Sequence, residues 1–317
     1  MFYKIIILHF KLISVNRKFV VWAVFMAIII SCNNPSPGRK GLQKNRTIFS
    51  KEEPVNNEYG DTVVDLSDNE NIYDLLCQGW EMEDDVAALK GMDDNSRLEI
   101  PFRSFYFFAD GTFLKNPRNA MEYGKWEYDD DKKMITMKYT GEDKSGIDLY
   151  KIAALAPDEL SVVNKGINTS TILTFISSGK RFKNPEDDAY HISNNYWRIK
   201  PRKMETDAEI LKRLKGNIHF FVLFYKNAIA KNAPTISFWG LPSCLKWYSG
   251  GIYLMDKEAL NKYWINCFYN KEQAMKAYAK MDKLMELKYT WPKGETNWMK
   301  QNLAVLQQMY DKMDKIK

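Results

Sequence analysis

Phe105-Tyr106-Phe107-Phe108-Ala109-Asp110-Gly111-Thr112-Phe113 is the stretch from which the architecture can be read. Phe105 and Phe107 alternate, Asp-Gly interrupts, and the apolar run resumes at Phe113. Period-two spacing sends successive side chains to opposite faces of a strand. Gly111 accepts the positive φ that a tight turn requires. The stretch therefore predicts a β-hairpin. Reading outward, the same alternation recurs at Leu98, Ile100 and Phe102, at Ile135, Met137 and Tyr139, at Tyr150, Ile152 and Ala154, at Leu160 and Val162, and at Leu173 and Phe175. Asp129-Asp130-Asp131, Gly141, Pro157-Asp158 and Gly166 supply the turns between them. The pattern predicts an antiparallel meander over residues 67–190.

Five short motifs in order sharpen this expectation: Gly79-Trp80, Phe107 to Phe113, Gly124-Lys125-Trp126, Tyr150-Lys151-Ile152 and Leu160-Ser161-Val162. Together they resemble the lipocalin-like domains of bacterial lipoproteins of the Bacteroidetes type. The resemblance implies a small barrel or half-barrel and carries no defined ligand. Trp80 and Trp126 are expected as core plugs whose indole N–H groups find carbonyl partners.

Residues 195–317 follow a different pattern. Thr206-Asp207-Ala208-Glu209 is a capping box, and the apolar positions behind it keep helical spacing to about Ala230. Thr235–Trp239 and Ile252–Met255 read as short strands. Helices are expected over 256–267 and 271–287. A last helix should turn Met299, Leu303, Leu306, Met309 or Tyr310, Met313 and Ile316 to one side. Tyr196-Trp197-Arg198-Ile199 could continue the meander or echo one of its strands. The fold class expected is α+β, an N-terminal antiparallel β-barrel or half-barrel followed by an α-rich C-terminal domain with a short β element.

The N-terminus carries Lys4, Lys11, Arg17 and Lys18, then twelve consecutive apolar residues from Phe19 to Ile30. A basic region, a short apolar core and a small residue describe a secretory signal. Twelve residues fall short of the about 20 needed to cross a bilayer as a helix. Ile29-Ile30-Ser31-Cys32 resembles a bacterial lipobox. That resemblance implies cleavage after Ser31, with residues 1–31 as signal peptide, and palmitate-type acylation of Cys32 as the first mature residue. Several acyl chains on one cysteine hold a protein stably to a membrane. Residues 32–66, rich in Asn, Pro, Ser and Gly, read as a tether. The run after Cys32 has no acidic cluster, so the expected location is the cell envelope, on the outer membrane facing the periplasm.

The full chain has 317 residues, 45% hydrophobic and 27% charged, with net charge +6. From Cys32 onward it has 286 residues and a net charge of +2, which divides into −9 over residues 33–195 and +11 over residues 196–317. Three histidines, one of them in the signal, disfavour histidine-rich zinc sites and Ser-His-Asp or Cys-His catalysis. The basic half could be drawn to the acidic one, or face anionic lipid, an anionic envelope polymer or other envelope proteins, and solvated helix faces are the rival reading of its lysines. Its lysines are dispersed, which argues against nucleic acid. No cofactor or metal motif is present, and Ser243 sits outside any nucleophile elbow. His219 reads as a helix histidine, and the acidic pairs around Glu83 and Asp93 read as solvated loops.

Two features of the C-terminal half are candidate sites. Cys244 and Cys267 form a candidate disulfide, which an exported protein permits. Trp239, Trp247, Tyr248, Gly250, Gly251 and Tyr253 form a candidate ligand groove, for which a tightly packed strand–turn–strand core is the rival reading. The function expected is a non-enzymatic binding or assembly role at the membrane. Carriage of a small apolar ligand inside the barrel is one alternative, and hydrolysis of envelope polymers at the aromatic segment is another.

Overall fold

The computed structural model describes residues 71–85, 103–118, 120–140, 146–166, 171–178, 182–233, 238, 240–248, 251–260 and 262–316. Cys32, the signal, the tether, Asp93-Asp94 and the alternation at Leu98–Phe102 lie outside these residues.

The first helix, α1 (Ile72–Leu76), starts on Asn71, whose side chain accepts the Tyr73 N–H. Eight strands follow: β1 (Gly79–Met82), β2 (Ser104–Phe107), β3 (Thr112–Lys115), β4 (Glu122–Asp129), β5 (Met134–Tyr139), β6 (Ile147–Leu155), β7 (Glu159–Asn164) and β8 (Ile172–Ser177). Each pairs with the next, and β8 returns to β1 through Trp80–Ser177 and Met82–Phe175, closing the antiparallel barrel. Closure removes the exposed edges that an open sheet would leave. The turn at Gly111 has φ +75°, as its hairpin requires. Gly124 in the Gly-x-Trp motif has a different cause: a Cβ there would sit 1.9 Å from the Lys138 carbonyl oxygen on β5. A glycine lets the two backbones approach.

The inner face is filled by Trp80, Phe105, Phe107, Phe113, Trp126, Ile135, Met137, Tyr150, Ile152, Leu160, Val162 and Phe175. Helix α1 adds Ile72, Leu75 and Leu76 to this cluster, while Tyr73 stacks on Trp126 at 4.8 Å. Trp80 Nε1 donates to the Leu76 carbonyl (3.0 Å) and Trp126 Nε1 to that of Phe108 (2.9 Å), so both indoles are satisfied core plugs.

A second cluster lies outside the barrel. Tyr106, Phe108 and Leu114 point outward and are covered by the helical layer. That layer is built on α2 (Asp207–Ala230), whose capping box is formed by Thr206 and Glu209. A hairpin follows, β9 (Leu245–Tyr248) with β10 (Gly251–Leu254), then α3 (Lys262–Asn266), α4 (Lys271–Met285) and α5 (Trp298–Lys312). Helix α5 turns Met299, Leu306 and Met309 into the core, with Met313 and Ile316 beyond it. Asn302 on the same helix is also buried and donates to the Tyr225 hydroxyl (3.2 Å). The barrel and this layer belong to one compact unit.

Two local expectations change. Tyr196–Arg198 is a 3-10 turn, not a strand. It lets Trp197 cover Gly216 of α2, where a Cβ would lie 3.0 Å from the Trp197 Cβ. The helix expected over 256–267 splits into a 3-10 turn at Lys257–Ala259 and α3, with Leu260 extended between them.

Candidate functional site

Of the sites the sequence suggests, Cys32 lies outside the described residues, while Cys244, Cys267 and most of the aromatic segment lie within them. Across the β9–β10 hairpin Trp247 pairs with Ile252 and Tyr253 with Lys246, so Trp247 and Tyr253 face opposite sides. Trp247 stacks on Phe238 (4.8 Å, 18°) and meets Phe221 and Tyr225. Tyr253 is exposed. Period-two alternation therefore separates Trp247 from Tyr253 and leaves Tyr248 on the same face as Tyr253. Gly251 lies at the turn beside the Tyr253 ring, and Tyr248 pairs with Gly251. Trp239 and Gly250 lie outside the described residues.

Cys244 and Cys267 are free, so the candidate disulfide is not formed in this structure. Both are buried, and Cys267 Sγ donates to the Tyr263 carbonyl one turn earlier (3.2 Å). Burial pushes the Cys244 thiol well up, and it pushes the Cys267 thiol up to about 12 against Arg198 and Arg213 nearby. Neither is poised as a nucleophile.

His219 on α2 packs against Tyr310 (5.4 Å), and burial, helped by Lys226, lowers its pKa. His191 has more partners. Its Nε2 meets Asp110 Oδ2 (3.2 Å) and Thr112 Oγ1 (3.3 Å), and its Nδ1 meets Ser193 Oγ (2.8 Å). Phe108 adds an edge contact at 4.8 Å. This chain ties the β2–β3 turn to the segment leading into the helical layer. Ser193 is only two positions from His191, so this contact between two side chains is local to the Ile192–Asn194 turn. The acidic run after β1 is also partnered: Asp85 accepts from Arg103 Nε, Nη2 and backbone N–H at 2.8–3.1 Å.

A cavity of about 150 Å³ lies where the barrel wall meets α2. Strands β1 and β2 contribute Glu81 and Tyr106, the β3–β4 connection Arg118, the segment before α2 Asp188 and Tyr190, and the end of α2 Ala228 and Lys231. The Tyr106 hydroxyl donates to Glu81 Oε1 (3.1 Å), and the two tyrosine rings lie 4.6 Å apart. Asp188 Oδ1 accepts the Tyr190 N–H (2.8 Å). Lys231 Nζ reaches the Ser178 carbonyl (3.4 Å) and lies over the Phe182 ring. Gly240, at φ +70°, lets the Arg118 backbone approach: a Cβ there would be 2.2 Å from its carbonyl oxygen.

The electrostatics follow from this crowding. Burial raises the Asp188 carboxyl pKa, although Lys231, the Tyr190 N–H and His191 oppose it. Burial also opposes the charge on Arg118, but Tyr190, Glu81 and Tyr106 nearby hold its pKa up. Both tyrosine hydroxyls are pushed up by burial. The Tyr190 hydroxyl is buried without a hydrogen-bond partner, on a residue only 7% exposed. A buried donor left unpaired is costly, and this oxygen has almost no accessible surface, so it lies behind the cavity wall and does not face its free space.

None of these cavity residues was a candidate from sequence, because the cavity is assembled from separate segments with no spacing rule. One signal was present. Phe105-Tyr106-Phe107-Phe108 is apolar on both faces, which marks a strand covered on both sides.

Fold and site together define an eight-stranded antiparallel barrel carrying a helical layer, with a polar cavity at the junction. No protein family and no curated protein matches the sequence. Among solved structures, a DUF4847 family protein from Bacteroides vulgatus aligns with 34% of this chain and 96% of its own, at 15% identity and a TM-score of 0.23.

Proposed function

We propose that this protein is a lipid-anchored envelope component with a non-enzymatic binding role, and that its ligand is a small polar molecule held in the cavity between barrel and α2. The observation that carries the binding role is the cavity itself, into which Arg118, Asp188, Glu81 and Lys231 bring charge from four separate segments. The alternative of an apolar ligand inside the barrel has less support, since aromatic and aliphatic side chains fill the inner face. The hydrolase alternative has less support too, since Trp247 is engaged in a ring cluster and faces away from Tyr253.

Support for the anchor comes from the basic region, the apolar run and Ser31-Cys32. Among the described residues no helix is long and apolar enough to cross a membrane. The proposed location is the outer membrane, facing the periplasm. A palmitate analogue fed to cells should label the protein, and Cys32→Ala should abolish the label. Persistence of the label in that variant rejects the anchor. For the binding role, a polar fragment library should raise the melting temperature of the full chain in detergent but not that of Ala228→Leu, which fills the cavity. Equal shifts in both proteins reject the cavity as the site.

A further inference from the structure

Asp110, His191 and Ser193 stand in one line of hydrogen bonds. Asp110 Oδ2 lies 3.2 Å from His191 Nε2, and Ser193 Oγ lies 2.8 Å from the ring's other nitrogen, Nδ1. The His191 side chain is 5% exposed, and the Phe108 edge contact helps hold its ring in place. Ser193, by contrast, is exposed. Asp110, His191 and Ser193 are not among the residues lining the cavity at α2, so this line is separate from the proposed binding site.

We propose that Ser193 is a nucleophile toward carboxylic esters, with His191 as its general base and Asp110 as the residue that positions the base. The hydrogen bonds fix where the ring proton sits. Burial raises the Asp110 pKa, but hydrogen bonds from the Thr112 hydroxyl and N–H and the His191 contact bring it below its ordinary value, so it is a carboxylate at neutral pH and only accepts. Thr112 Oγ1 gives its proton to Asp110 Oδ1 (2.6 Å), so at 3.3 Å from Nε2 it too accepts. Two acceptors at Nε2 place the proton there. The lone pair of the neutral imidazole is then on Nδ1, where the Ser193 hydroxyl donates to it. A serine, a base within hydrogen-bond reach and a group orienting the base make the arrangement that activates a hydroxyl, whatever their order in the chain. Here the ring is reversed, with the acid on Nε2 and the serine on Nδ1. The low histidine count argues against such a relay only by number, and His191 is the one it needs.

The Ser193 hydroxyl proton moves to His191 Nδ1 as Oγ forms a bond to the ester carbonyl carbon. The bond from that carbon to the leaving oxygen then breaks, and the leaving oxygen takes the proton from Nδ1. Serine and ester become an acyl-serine and an alcohol, and no other reactant is consumed. The step adds a covalent acceptor to the binding role proposed above. Tyr196 supplies a contact for the ester. It opens the 3-10 turn that follows the turn of Ser193, three positions on, and is 58% exposed. Residues three apart in such turns fall on one side. An exposed ring there offers its face to an aryl ester.

Two probes on the full chain in detergent at pH 7 test this. An alkyl fluorophosphonate, mapped by mass spectrometry, reports which serine is activated, and 4-nitrophenyl acetate reports acylation as a burst of nitrophenolate. Ser193 is expected to carry the fluorophosphonate label and the other serines to stay unlabelled. Ser193→Ala, a change at an exposed position, should lose both label and burst. Asp110→Asn offers an amide N–H to Nε2 and moves the ring proton to Nδ1, where it blocks the serine. Its acylation rate constant should fall about 100-fold or more, as loss of a positioned base does, with the half-saturating ester concentration and the circular dichroism spectrum unchanged. Tyr196→Ala should raise the half-saturating concentration and leave the rate constant. An unlabelled Ser193, or a label and burst that persist in Ser193→Ala, overturns the proposal. Acylation of Asp110→Asn at the parent rate overturns the relay and leaves Ser193 an ordinary exposed hydroxyl. A change only in its half-saturating concentration overturns Asp110 as the positioning residue.

Discussion

Removing the Tyr190 hydroxyl should stabilise the ligand-free protein, the reverse of the usual effect of Tyr→Phe. The ring is packed by Tyr106 at 4.6 Å, Phe220 at 5.9 Å and Phe224 at 6.1 Å, and Phe preserves all three contacts. Only the oxygen leaves, and it has no hydrogen-bond partner. An unsatisfied buried polar group costs about 1–3 kcal/mol. Loss of the oxygen also leaves a small void in the packing, so the gain expected is near the lower end, about 1 kcal/mol. For a chain this long that corresponds to a rise of roughly 2–4 °C in Tm. Tyr225→Phe is the matched control. Its hydroxyl accepts from Asn302 Nδ2 at 3.2 Å, and Asn302 is 1% exposed, so its loss leaves a buried amide unpaired. That variant should lose about 1–3 kcal/mol. Guanidinium denaturation with unchanged slope reads both. Destabilisation of Tyr190→Phe to the same extent as Tyr225→Phe would refute the reasoning, because it would mean the Tyr190 hydroxyl is satisfied in the free protein.

Three further expectations follow from single contacts. Gly124→Ala places a Cβ 1.9 Å from the Lys138 carbonyl and must part β4 from β5, so a loss of about 3 kcal/mol or more is expected, at or above the upper end for overpacking; an unchanged denaturation midpoint would contradict it. Burial pushes the Asp110 carboxyl pKa up, but hydrogen bonds from the Thr112 hydroxyl and N–H and the contact with His191 bring it below its ordinary value. A depressed carboxyl stabilises the fold above its unfolded pKa of about 3.9 and loses that contribution as pH falls through the folded value. Asp110→Asn should therefore flatten the stability profile below about pH 4, and an unaltered acid limb would remove Asp110 as its source. Cys244 and Cys267 should resist iodoacetamide in the folded protein, and both should alkylate in guanidinium without reductant; a linked peptide in a non-reducing digest would overturn the free-thiol assignment.

Much of the barrel could be read from the sequence, because strand alternation and turn chemistry act locally. Phe105 to Phe113 announced β2, the Gly111 turn and β3. Trp80 and Trp126 are the plugs their motif positions suggested. The α2 capping box was equally local. Errors arose where tertiary contact overrode pattern. Tyr196-Trp197-Arg198-Ile199 has strand propensity, yet it turns so that Trp197 can cover Gly216. In the aromatic segment 237–254 the two-stranded hairpin divides the residues, with Trp247 on one side and Tyr248 and Tyr253 on the other.

The cavity was illegible for a more general reason. A barrel wall is convex and α2 is straight, so the two surfaces touch along a line and diverge from it. Along the line of contact, apolar residues such as Tyr106 and Phe108 meet the helical layer. Where the surfaces diverge, space is left at the end of α2, and side chains from separated segments reach into it. The opposite net charges of the two halves suggest electrostatic attraction as the force holding them together, but the shared cluster is built of buried apolar side chains. Burying apolar area contributes about 25 cal/mol per Å², whereas exposed ion pairs contribute little. Charge therefore has a different place in this junction. Arg118, Lys231, Glu81 and Asp188 line the gap that apolar contact leaves open. If charge held the junction, raising the salt concentration to 1 M would lower stability; if apolar burial holds it, the same salt should leave stability nearly unchanged and weaken only ligand binding.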